Sequence, residues 1–166
     1  MRTLVHVSLA AVVLVTCGSC GSNSKEEAPT STGKIEIVGS YQCTGSKDTG
    51  LDAARDALQS HPDIVGIFAI NDPSALGARA AVEAESKQDE IVIVGFDGQP
   101  EAKVAIKDGK LFDSPVQFPD KMAVEVVKGV VKYFKGEKLD PEMLIKTVQY
   151  RLEDAEKDAA LGKDVQ

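Results

Sequence analysis

Between residues 34 and 150, short apolar runs alternate with longer stretches in which apolar side chains recur at helical spacing. Short apolar or β-branched runs are typical of strands, and the helical spacing is typical of helices that bury one face. The run at residues 64–70 (IVGIFAI) is continuously apolar, as expected of a strand covered on both faces. The pattern predicts strands at residues 35–38, 64–70, 91–94, 111–116 and 144–150.

Helices are predicted in the stretches between these strands. Ser46 is expected to cap the first helix, and Asp72 the second, because Pro73 follows at a position where no N–H is needed. Gly136 is expected to close the last helix as a C-terminal cap. The predicted helical ranges are about 46–60, 72–86, 100–108 and 119–135.

This alternation of strand and helix predicts the α/β fold class, with a parallel sheet between helix layers in a three-layer lobe. The crossover connections of such a sheet are expected to be right-handed. We expect the folded lobe to cover residues 34–152, and residues 153–166 to form a polar tail that is partly helical.

The first 20 residues have the pattern of an export signal. Arg2 precedes an apolar run at residues 4–15, which is too short to span a bilayer but fits the apolar region of a signal peptide. The following residues resemble a bacterial lipobox, in which one cysteine is lipidated and becomes the mature N-terminus. Cys20 is favoured slightly over Cys17, and an ordinary secretory signal is the alternative. Residues 21–33 are small, polar and proline-containing, which predicts a flexible tether.

Composition narrows the function classes. The formal charge is -7 and the pI is about 4.9, which disfavours binding to a phosphate backbone. Apart from Cys17 and Cys20 there is one further cysteine, Cys43, too few for a disulfide scaffold. No metal-ligand spacing, nucleophile–base arrangement or phosphate-binding loop is found in the sequence. We therefore expect a protein that is not an enzyme and that uses no cofactor or metal.

Polar residues follow three of the predicted strands, and ligands of open α/β sheets bind beyond such strand ends. Asn71, Asp97 and Gln117 are the candidate ligand-binding residues. Amides both donate and accept hydrogen bonds and a carboxylate accepts from two hydroxyls, so the set suits a sugar or another polyol. The alternative is helix capping, which we expect of Asp72 and which remains open for Asp97.

Three longer segments resemble those of the ribose-binding type of periplasmic binding proteins. They are HPDIVGIFAINDPSALGARAAVEA (61–84), IVIVGFDGQPEAKVAIKDGKL (91–111) and VQFPDKMAVEVVKGVVKYFKGEKL (116–139). The resemblance covers about residues 34–150 and implies the C-terminal lobe of such a protein. It also implies that Asn71, Asp97 and Gln117 contact a monosaccharide delivered to an ABC importer.

The departures from the family are as informative as the match. The N-terminal lobe and the first strand–helix unit of the C-terminal lobe have no counterpart in this sequence, so we expect an incomplete site with weak affinity. The helix at 119–135, which the resemblance packs on that lobe, is apolar around most of its circumference. It should therefore fold back, self-associate or meet another chain that supplies the lobe.

Three functions follow as expectations. The first is the sugar-binding component of an ABC importer, with a monosaccharide as ligand and an ABC permease, or a chain supplying the missing lobe, as partner. The others are a remnant without a transport role and a lipoprotein interaction or sensor module. The chain is expected in the periplasm or cell envelope, touching the membrane only through its lipid anchor and binding no nucleic acid.

Overall fold

The computed structural model describes residues 10–17 and 35–161. The predicted tether at 21–33 and the last five residues of the predicted tail lie outside this part of the chain. In chain order, the elements are β1 (Ala10–Cys17), β2 (Ile35–Cys43), α1 (Lys47–Ser60), β3 (Gly66–Ala69), α2 (Asp72–Ala84), β4 (Val92–Val94), α3 (Pro100–Lys107), α4 (Pro119–Phe134) and α5 (Leu152–Lys157).

The strands form one parallel sheet in the order β2-β1-β3-β4. Beyond β4 the sheet is extended only by single bridges. Val94 bridges to Asp113 and Asp97 to Val116 in the parallel sense, and Val116 bridges to Val148 in the antiparallel sense. The predicted strands at 111–116 and 144–150 are therefore reduced to isolated bridges, while the α/β class and the parallel sheet are confirmed.

Strand β1 was not predicted. Its residues belong to the segment that the sequence assigns to an export signal, and the structure pairs them with β2 on one side and β3 on the other. Positions 1–9 and 18–20 of the predicted signal lie outside the described residues. The pairing shows where residues 10–17 lie in the unprocessed chain and does not test whether the segment is removed.

The core is built from small side chains. Helices α1 and α2 pack closely through alanines, of which Ala54, Ala57 and Ala78 are fully buried. A β-carbon at Gly77 would collide with the carbonyl oxygen of Lys47 on α1, so the two helices could not approach as closely with a larger residue there. Ser46 caps α1 as predicted, accepting a hydrogen bond from the Thr49 N–H at 3.3 Å.

Helix α4 stands apart from this core. None of its residues is buried, and Val126, Val127 and Phe134 are 64%, 62% and 82% exposed. The predicted unmet apolar face is therefore present in the described structure. Gly136 has a φ of 73° just after the helix, as expected of a C-terminal cap. No helix among the described residues is long and apolar enough to cross a membrane.

The segment after the lobe is more ordered than the predicted polar tail. Helix α5 covers the first part of it, and Ala155 is fully buried. The Tyr150 hydroxyl donates to the Asp158 carboxylate at 2.8 Å, and Asp158 lies 3.9 Å from the Lys103 ammonium. These contacts attach α5 to α3, so the lobe continues at least to residue 161.

Candidate functional site

The candidate ligand residues lie where consecutive parallel strands end. Asn71 follows β3 after one residue, and Asp97 follows β4 after two. Gln117 comes directly after the bridge at Val116. Because β3 and β4 are paired parallel neighbours, these ends meet at one edge of the sheet. All three side chains are half-buried, so each has a surface that a ligand could reach.

Asp97 and Gln117 are in direct contact. The Gln117 side-chain amide donates to Asp97 Oδ1 at 2.5 Å, and the Gln99 amide donates to Oδ2 at 3.3 Å. The backbones are joined as well, because the Gln117 N–H donates to the Asp97 carbonyl oxygen at 3.0 Å. The carboxylate is thus held in place by two amides while its remaining lone pairs stay available.

Asp97 has an unusual backbone conformation. Its φ is 116°, a region that residues with a side chain rarely adopt. Such strain costs on the order of 1–3 kcal/mol and persists where surrounding contacts enforce it, commonly at binding sites. Here the enforcing contacts are the hydrogen bonds from the Asp97 N–H to the Pro115 carbonyl and from the Gln117 N–H to Asp97.

Asn71 is the N-cap of α2, which corrects the prediction that Asp72 has this role. The Asn71 Oδ1 accepts from the Ser74 N–H at 3.0 Å, and Asn71 Nδ2 donates to the Gly45 carbonyl at 2.9 Å. Both ends of the amide are therefore used within the protein. A ligand contact at Asn71 would have to share these atoms or use the remaining lone pair and N–H.

Asp72 is instead fully buried behind the site. Its carboxylate accepts from the Gln99 N–H at 2.7 Å and from the Ser114 hydroxyl at 2.6 Å. Burial raises the pKa of Asp72 above its ordinary value, and the hydrogen bonds from Ser114 and Gln99 offset only part of the rise. A β-carbon at Gly95 would collide with Asp72 Oδ1, so glycine is required there.

Asp72 therefore connects the three strand ends. It is next to Asn71 in sequence, it holds Gln99 beside Asp97, and it holds Ser114 near the strand end that leads to Gln117. Sequence reasoning missed this role because an acidic residue before Pro73 is also the usual pattern of a helix cap. Gly95, which lies against Asp72 in the fold, could have indicated this role from the sequence. A glycine at a strand end permits the close approach of another group.

Two aromatic side chains also lie at the strand ends. Phe96 precedes Asp97 and Phe118 follows Gln117, and both are half-buried. The Lys121 ammonium lies 3.9 Å from the centroid of the Phe118 ring. Sequence reasoning did not single out either ring as part of the site.

A separate cavity opens at the opposite end of β4. Its volume is about 490 Å³, and Ile91, Phe112 and Arg151 are among the residues that line it. None of the three candidate ligand residues is in its lining. The strand-end site is thus an open face rather than part of this cavity. Within the described residues, no group of three or more His, Cys, Asp or Glu side chains could hold a metal ion.

Comparison with known proteins gives a consistent result. Residues 24–138 match the model of the family described as "Periplasmic binding protein domain". The chain is 38% identical over 106 residues to the ribose import binding protein of Salmonella typhimurium, covering 64% of this chain and 36% of that protein. It is 30% identical over 138 residues to the D-allose-binding periplasmic protein of Escherichia coli, covering 83% and 44%.

Solved structures agree with this match. A periplasmic solute binding protein of an ABC transporter from Actinobacillus succinogenes, with bound D-allose, superposes with a TM-score of 0.65 at 28% identity over 74% of this chain and 43% of that chain. A solute binding protein from Agrobacterium vitis, with bound D-fucose, gives 0.70 at 26% identity over 93% and 56%. The chain thus spans between 36% and 56% of the length of these proteins, all of which are binding proteins by name.

Proposed function

Because this chain belongs to the periplasmic binding protein domain family, we propose that its strand-end face is one wall of a monosaccharide site that serves an ABC sugar importer. The observation that carries the proposal is the Asp97 carboxylate, fixed by the Gln117 and Gln99 amides on a strained backbone. A fixed carboxylate can accept hydrogen bonds from two neighbouring sugar hydroxyls without losing further side-chain entropy.

The chemistry of the face favours binding over catalysis. Asn71, Asp97 and Gln117 supply amide and carboxylate groups, and no cluster of possible metal ligands accompanies them among the described residues. Ribose and allose, in the names of relatives, and fucose, bound in a solved structure, all present the adjacent hydroxyls that such groups bind. The proposed role is therefore that of a non-enzymatic binding protein without a cofactor.

A sugar bound at this face would need a second wall. A site normally encloses about 70–90% of a small ligand, which one open face does not achieve. Helix α4 begins two residues after Gln117, and none of its residues is buried. A lobe that packed on the first turn of α4 would therefore lie close to Gln117. If no such lobe binds, an interaction or sensor module and a remnant without a transport role are the alternatives.

The proposed location is the periplasm or cell envelope. The family supports the periplasmic part of this proposal, and the signal-like residues 1–20 support lipid attachment at Cys20 or Cys17. Mass spectrometry of the protein from a membrane fraction tests the attachment. The Cys20→Ser variant should lose the lipid, whereas a lipid that remains on this variant and disappears with Cys17→Ser assigns the other cysteine.

The binding proposal is tested by NMR titration of the full chain with ribose, allose and fucose. We expect dissociation constants on the order of 1–10 mM or weaker, because one open face encloses too little of a sugar. Shifts should be centred on residues 71, 97 and 117, and Asp97→Ala should abolish them. Asp89→Ala, an exposed acidic residue outside the site, is the matched control and should bind like wild type.

Two results would contradict the proposal. One is that none of the three sugars shifts any resonance, and the other is that Asp97→Ala and Asp89→Ala bind equally. A micromolar constant for the isolated chain would overturn the half-site argument while supporting sugar binding.

A further inference from the structure

The centre of the sheet is occupied by residues that the sequence assigns to a removable segment. β2 and β3 do not pair with each other, because β1 lies between them. β1 pairs with β2 at eight positions, from Ala10 opposite Ile35 to Cys17 opposite Cys43, with a shift of register between Val12 and Val13. It is in register with β3 at four positions, from Val12 opposite Gly66 to Val15 opposite Ala69.

The rest of the lobe is built around a position for one strand between β2 and β3, which we call the central slot. Helix α1 follows β2 and precedes β3, and it contacts both β2 and β1 while packing along α2. The β2–α1–β3 crossover therefore passes over one strand position rather than joining neighbours. The α1–α2 contact is tight, with Gly77 against the Lys47 carbonyl, and α2 in turn contacts β3 on the other side of the slot.

The chain geometry allows residues 10–17 to fill this slot. A parallel neighbour must be reached by a crossover of about a dozen residues or more, and residues 18–34 provide that length between β1 and β2. An apolar run of four to eight residues is as typical of a buried parallel strand as of the apolar core of a signal peptide. The two uses exclude each other, because cleavage before Cys20 removes β1 from the chain.

We propose that the central slot is a strand-acceptor site whose occupant is residues 10–17 of the same chain. The unprocessed chain is then the form with a continuous sheet. Processing before Cys20 exposes the inner edges of β2 and β3, two rows of backbone groups that a strand must pair. Export and completion of the fold thus compete for the same eight residues. This inference rests on the strand pairing alone and stands whether or not the face binds sugar.

The test uses the full chain carrying Cys20→Ser, with a specific protease site inserted in residues 21–33. After purification and cleavage, we expect the N-terminal fragment to co-elute with the body of the protein in gel filtration. It should separate only when the body unfolds in urea. Leu14→Pro should release the fragment, because proline removes a backbone donor from the middle of a central strand. Ser31→Pro, between β1 and β2, is the matched control and should retain it.

Hydrogen exchange on the uncleaved chain provides a second measurement that does not depend on a variant. The amides of residues 10–17 should be protected as strongly as those of β3. The inference is overturned if residues 10–17 exchange at the rate of an unfolded chain. It is overturned equally if the cleaved fragment separates from a body that keeps its cooperative unfolding transition.

Discussion

At the scale of single residues, Asp72 determines how the site is held together. The side chain is fully buried, and its two oxygens accept hydrogen bonds from the loop after β4 and from Ser114. Ser114 in turn accepts from the Gly98 N–H at 2.9 Å. A single carboxylate thus fixes two of the loops from which the candidate ligand residues project.

Replacing this carboxylate should be costly. We expect Asp72→Ala to lower the free energy of unfolding by about 2–4 kcal/mol, because the Gln99 N–H and the Ser114 hydroxyl lose their buried acceptor. Urea unfolding followed by circular dichroism measures the loss. Asp89→Ala, which removes an exposed carboxylate, should change stability by less than about 0.5 kcal/mol. Equal stabilities for the two variants would show that the buried network contributes little.

The raised pKa of Asp72 also predicts a pH dependence. Above the ordinary pKa of 3.8 the folded protein retains a proton that the unfolded chain has lost, so the folded state binds more protons. The contribution of Asp72 to stability is therefore greatest below pH 3.8 and falls as the pH rises through the raised value. The free energy of unfolding of wild type, relative to that of Asp72→Asn, should fall as the pH rises through this window and then become constant. Urea unfolding of both proteins between about pH 3.5 and pH 7 measures the difference. A constant or widening advantage of wild type would contradict the raised pKa.

At the scale of elements, α4 has an apolar sequence but an exposed position. Its valines are at a spacing that normally faces a core, yet none of its side chains is buried. An exposed apolar patch of this kind favours association with another surface. Its contribution to the stability of the described lobe should correspondingly be small.

A double substitution tests this expectation. Val127 and Val131 lie one helical turn apart and are 62% and 48% exposed. Val127→Lys with Val131→Lys should leave the free energy of unfolding within about 0.5 kcal/mol of wild type while reducing self-association. Sedimentation velocity over a concentration series measures the association, with Lys132→Gln as a control on the same helix. Identical sedimentation of wild type and the double variant at every concentration would contradict the prediction.

Local sequence patterns predicted the elements that depend on local chemistry. Ser46 caps α1, and the apolar runs at 64–70 and 91–94 contain β3 and β4. The N-cap of α2 was harder to predict, because both Asn71 and Asp72 lie at the start of the helix and both residue types cap helices. The choice is made by distant partners, since Gln99 and Ser114 bind Asp72 and leave Asn71 to accept from Ser74. Those partners are not visible in the local sequence.

At the scale of the whole molecule, the parallel α/β lobe was predictable, but the composition of its sheet was not. The run at 4–15 satisfies the pattern of a signal peptide and that of a buried strand, and local sequence does not separate the two. The strands expected at 111–116 and 144–150 are only bridges, although backbone hydrogen bonds such as Gly95 N–H to the Asp113 carbonyl and Val116 N–H to the Val148 carbonyl join them to their neighbours. The ligand roles of Asn71, Asp97 and Gln117 stay predictions, supported by the Asp97–Gln117 contact.

Strand β2 has a consequence for the protein at high concentration. It is the outermost strand of the described sheet, and Ile35 and Ile37 are 63% and 65% exposed near its start. Outer strands of this kind can template the addition of further chains and grow into fibrillar aggregates. Glu36, also exposed, lies between the two isoleucines, where a charge opposes such stacking. Loss of this charge should therefore favour fibrillar aggregation at high protein concentration.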